Sequence, residues 1–129
     1  VITDLLTLLT TASAKVDNRV YPTLAEQQAP RPLIVYQRIS DVPQGSMEPA
    51  TLVRQAVVQF DVYAATRAKA EEVADAIEAD LGNYVGTVND TRFDGISIDN
   101  VQDLDTREGD GSDRVVYRTS IDVRVRYAR

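Results

Sequence analysis

The stretch "VVYRTSIDVRVRY", residues 115 to 127, constrains this chain more than any other. Val115, Tyr117, Ile121, Val123, Val125 and Tyr127 fall on one parity, and Arg118, Asp122, Arg124 and Arg126 on the other. A period of two places successive side chains on opposite faces, so the segment is predicted to be a strand with one face in a core and the other against something polar. The rest of the chain must supply that core, and something must account for the second face.

Ile2, Leu5, Leu6, Leu9, Ala12 and Val16 recur at spacings of three and four, which predicts a helix over 2–16 with one apolar stripe, lying on a sheet. Prolines at 22, 30 and 32 then predict an extended surface connector. "LIVYQRISDV" (33–42) and "LVRQAVVQFDVYA" (52–64) are rich in β-branched and aromatic residues and read as an antiparallel pair joined by a long exposed loop. Thr66 is placed to cap a second helix. Its Ala70, Val73, Ala74, Ile77 and Leu81 form a buried stripe, its Glu71, Glu72, Asp75 and Glu78 face water, and Gly82 followed by Asn83 supplies a left-handed stop. After a loop over 83–92, "FDGISIDNVQDLD" pairs with the closing strand. The expectation is one α+β domain over 1–129: a two-layer sandwich of order α-β-β-α-β-β, with two helices on one face of a four-stranded antiparallel sheet.

No catalytic or cofactor set emerges. The 129 residues include neither cysteine nor histidine, which removes thiolate metal sites, the commonest zinc ligand and the commonest general base. Asp103, Asp105, Glu108, Asp110 and Asp113 are the densest carboxylate cluster, but the calcium-loop template fails: its sixth position is Glu108 and its twelfth Arg114. A solvated hairpin tip fits better. Ser97 has no base beside it, and "GTVNDTRFDG" lacks the lysine and glycine spacing of a phosphate cradle. No enzyme, metal or cofactor is expected. The first residues fit neither a signal peptide nor a membrane span, and a net charge of −6 argues against binding driven by phosphate neutralisation.

The second face has two readings. Arg114, Arg118, Arg124 and Arg126 could be a solvated face that keeps the sheet from aggregating. However, the strand at 52–64 also carries Val53, Val57 and Tyr63 opposite its core positions, and a face mixing valine, tyrosine, glutamine and arginine without lysine has the composition of a protein interface.

The chain resembles the tail-completion, or tail-terminator, proteins of long-tailed phages and phage-like particles. The residues that carry the likeness are the N-terminal leucine-rich helix, "RVYP", "APRPLIVYQRIS", "VQFDVYA" before an alanine-rich helix, and "YRTSIDVRVRY", in that order across nearly the whole chain. The resemblance implies a virion protein, made in the host cytoplasm. Six copies would form a ring at the head-proximal end of the tail tube, halting tube growth and meeting the head-completion (stopper) protein, with DNA passing through without specific binding. Subunit contacts are then expected at Val53, Gln55, Val57, Gln59, Tyr63, Arg118, Arg124 and Arg126. Two hairpin loops would reach the major tail tube protein and the stopper: Pro43 to Thr51, with Gln44, Ser46, Met47 and Glu48, and Thr106 to Asp113, with Arg107, Glu108, Asp110 and Asp113.

Size agrees with such a ring. A compact chain of this length has a diameter of about 36 Å, and six such bodies in contact leave a hole about one subunit wide. Two alternatives stay open: a head-completion, connector or tube-like protein of the same particle, and a small cytosolic αββ ligand-binding module that dimerises through its sheet.

Overall fold

A computed structural model of the chain describes residues 2–22, 32–44, 53–107 and 115–128. Two short helices, α1 (Ile2–Thr7) and α2 (Thr10–Lys15), lead into β1 (Val20–Pro22), β2 (Leu33–Gln44), β3 (Val53–Ala64) and the long helix α3 (Arg67–Leu81). Then follow β4 (Gly86–Val88), β5 (Thr91–Asp103), β6 (Thr106–Arg107) and β7 (Val115–Ala128). Among the described residues the sheet runs β1-β2-β3-β7-β5-β4, with β6 paired beside β7.

This overturns the expected four-stranded antiparallel sheet under two helices. Among the described residues the sheet is curled and mixed, with six strands along its main path, mixed because β1 runs parallel to β2, and it carries one main helix. The added strands are both edge strands of three residues, too short to display a period of two. Val20–Pro22 falls where an extended connector was expected, and Pro22 ends it as proline ends edge strands. Gly86–Val88 falls in the expected 83–92 loop. It forms a hairpin with β5 through the two-residue turn Asn89-Asp90, with Asn89 in the left-handed region at φ 52°.

The N-terminal helix is also broken. The amides of Leu8 and Leu9 donate to Leu5 and Leu6, the tightened i−3 pattern of a helix end, and Leu9 leaves helical geometry at ψ 57°. Thr7 donates its hydroxyl back to the Thr3 carbonyl, which bends helices. One of the first free amides of α2 is satisfied from a distance: Ala12 N–H donates to Asp80 on α3 at 2.9 Å. With the Lys15–Glu72 pair at 2.8 Å, this sets α2 antiparallel on α3. α2 thus lies on α3, while α1 reaches the sheet through Asp4, which accepts from Asn89 at 2.8 Å and from the Thr91 hydroxyl of β5 at 2.5 Å.

α3 begins as its sequence predicts, with the Thr66 hydroxyl accepting from Lys69 N–H at 3.1 Å. Its end differs. Gly82 has φ −59°, and the left-handed residue is Asn83 at φ 60°. Glycine is needed at 82 because a Cβ there would sit 2.7 Å from the Glu78 carbonyl oxygen. The core lies between α3, α1–α2 and one face of the sheet, around Phe60, Phe93, Ile121, Leu5, Leu9 and Ile77, all buried. Each such side chain contributes roughly 1.5–3 kcal/mol by leaving water.

Candidate interaction surface

Strand parity divides β3 cleanly. Ala56, Val58, Phe60, Val62 and Ala64 are buried against the helices, while Val53, Gln55, Val57, Gln59 and Tyr63 are half-buried on the opposite face. Antiparallel register with β7 then aligns Gln55 with Arg126, Val57 with Arg124, and Tyr63 with Arg118. The structure therefore places all eight residues expected at subunit contacts on one face of adjacent strands. β2 adds Ser40 beside Val57 and Val42 beside Gln55, and β5 adds Ser97 beside Arg124.

The face has a closed half and an open half. In the closed half Leu33, Val35, Asp61 and Ser120 are buried. Arg118 pairs with Asp61 at 3.2 Å and lays its guanidinium 5.7 Å from the Tyr63 ring centroid, while Gln59 donates to the Ser120 hydroxyl at 2.7 Å. These polar groups are engaged within the chain. In the open half Ser40, Val42, Ser97, Arg124 and Arg126 are exposed beside half-buried Gln55 and Val57. Arg124 reaches Asp99 at 3.0 Å, and among the described residues Arg126 has no ion pair.

Two clusters that the sequence did not announce pin the ends of the sheet. On the helix side, Asp41 accepts from the Tyr127 hydroxyl at 2.5 Å and from Arg54 at 2.9 Å, with Arg38 at 3.7 Å. Burial pushes the Asp41 carboxyl up, but hydrogen bonds from Tyr127 and Arg54 and the charges of Arg54 and Arg38 outweigh it and hold the group below its ordinary value. Burial, followed by the bond to Asp41, raises the Tyr127 phenol. At the other end Arg67 bonds to Asp103 and Thr119, each at 2.8 Å, pairs with Asp105, and lies 5.9 Å from the Tyr117 centroid.

The two hairpins expected to reach axial partners leave from opposite ends of the long strands. Gln44 pairs with Val53, which is level with Ala128 at the end of β7; Arg107 pairs with Val115 at its start. The β3–β7 ladder between them runs from Val53↔Ala128 to Ala64↔Tyr117, about 36 Å at 3.3 Å per residue. Ser46, Met47, Glu48, Glu108, Asp110 and Asp113 lie outside the described residues, as do the side chains of Gln44 and Arg107. Among the described residues no group of three or more acidic side chains could hold a metal ion, and no helix is long and apolar enough to cross a membrane.

A family model described as "Tail completion protein gp17" matches residues 3–128. That match spans every stretch carrying the resemblance to tail-completion proteins. Among solved structures, a chain from the "Virion of native gene transfer agent (GTA) particle" superposes with a TM-score of 0.67 at 14% identity, covering 95% of this chain and 90% of the other. At that identity the likeness establishes a shared fold. No curated protein matches the sequence.

Proposed function

The chain belongs to the tail completion protein gp17 family, a structural and non-enzymatic component of a virion tail, and we propose that it acts there by closing into a ring. Six copies form the collar at the head-proximal end of the tail tube, stop tube growth and join the tail to the head-completion protein, with DNA passing through the centre. The observation that supports this reading best is the placement of the two hairpin ends at opposite ends of one long ladder. A single subunit can thereby present one loop to the tube and the other to the stopper, leaving its flanks for its neighbours.

Subunit contacts are assigned to the face bearing Val53, Gln55, Val57, Gln59, Tyr63, Arg118, Arg124 and Arg126, chiefly its open half around Val57 and Arg126. The closed half orders Tyr63, Gln59 and Arg118 through contacts within the chain, so less side-chain entropy is lost when a neighbour arrives. Six copies bring about −36 formal charges at −6 each, which disfavours adhesion of duplex to the ring. The test is to add the purified protein to growing tail tubes and follow their length by electron microscopy. Closed rings at one end with arrested growth are expected; tubes that lengthen unchecked would reject the proposal.

A further inference from the structure

Both flanks of the sheet carry a stretch of strand that the short edge strands do not cover. β1 pairs with Ile34 to Tyr36 of β2 only, and β4 with Thr91 to Phe93 of β5 only. Asn83 N–H also donates to the Ile96 carbonyl at 2.9 Å, so among the described residues Gln37 onward is free on one flank and Ser97 onward on the other. The two free stretches are level. Following the register across β3 and β7, Gln37 stands opposite Asn100 and Ser40 opposite Ser97.

The strands on the two flanks also run in opposite directions, since β2, β3, β7 and β5 alternate. A second copy set beside the first by rotation about an axis along the strands would therefore bring β2 of one against β5 of the next in antiparallel orientation, with no rise from copy to copy. A contact between two different surfaces closes into a ring only if such a rise is absent; otherwise it propagates as a helix.

Chemistry supports the same contact. Among the described residues the four exposed large apolar side chains lie on the flanks or beside them: Ile39 and Val42 in β2, Val101 in β5, and Val85 next to β4. The β5 flank carries Asp99 and Asp103, and the β2 flank carries the half-exposed Arg38.

We infer that the subunits of this ring join edge to edge, with residues 37–40 of β2 in one copy adding antiparallel to residues 97–100 of β5 in the next, so that the sheet continues across the boundary. This rests on the ring reading and names the backbone contact within it. Strands lie about 4.8 Å apart, so a patch of about 800 Å² centred on the β2 edge also takes in the open face of β3 and β7.

The absence of cysteine makes a clean test possible. Ser40 and Ser97 are exposed and share a face and a level. Directly opposed residues of an antiparallel pair are within disulfide range. Oxidising the double variant Ser40→Cys/Ser97→Cys on capped tubes should give a ladder of covalent oligomers ending at the closed ring, and each single variant should give none. Capped tubes without cross-links would overturn the edge contact while leaving the ring reading intact, as would dimers from Ser40→Cys alone, which require β2 against β2. Failure of the unaltered protein to cap tubes would overturn both. As a second readout, Ile39→Lys should retain the wild-type circular dichroism spectrum and lose capping; capping at the wild-type level would contradict the inference.

Discussion

Val58 and Val57 are neighbours on β3, and their cross-strand partners Val123 and Arg124 are neighbours on β7, yet the two pairs have different environments. Val58 and Val123 are sealed under α3; Val57 is half-buried and Arg124 exposed. The strand backbone is common to both, so parity alone separates them. One face of the ladder supplies stability and the other supplies a surface, and substitutions one residue apart should separate the two properties.

The sharpest contrast comes from the buried side. Phe60→Ala removes a ring from the centre of the core and should cost about 3–5 kcal/mol, visible as a large drop in the urea midpoint. A loss no larger than that of an open-face substitution would erase the distinction.

Next comes the polar clasp on the helix side. Asp41→Asn forfeits hydrogen bonds to a charged group and should cost roughly 1.5–3 kcal/mol at neutral pH. Because the native carboxyl is held below its ordinary value of 3.8, its contribution is present above that value and is lost as pH falls through the native one. The stability gap between wild type and variant should therefore close on acidification below about pH 4. A gap that persisted unchanged would remove the charge from the account.

Substitutions on the open face should be the smallest in stability. Val57→Arg and Arg126→Ala are each expected to shift folding free energy by no more than about 0.5 kcal/mol, measured by the same denaturation. A cost near that of Phe60→Ala would show that this face is packed within the chain.

Parity was legible in the sequence because the long strands β2, β3, β5 and β7 are rich in β-branched residues, so the face bearing Val53 to Tyr63 follows from alternation alone. What the sequence concealed is of two kinds. β1 and β4 are three residues each and leave no periodic trace. The break after Thr7 depends on a hydroxyl turning back on its own helix and on Asp80, 68 residues away from the amide it satisfies. The clasp is hidden for a similar reason, since Asp41 and Tyr127 are 86 residues apart and meet only because β2 and β7 flank β3. A bulge between Arg38 and Ser40 moves Asp41 to the helix side, which simple alternation along β2 does not anticipate.

The most direct test of self-association through the open face is electron microscopy of tail tubes mixed with wild type or with Val57→Arg. Six-fold rings are expected at one end of tubes given wild type, and bare, growing tubes with the folded variant. Rings of normal frequency and symmetry formed by Val57→Arg would contradict it.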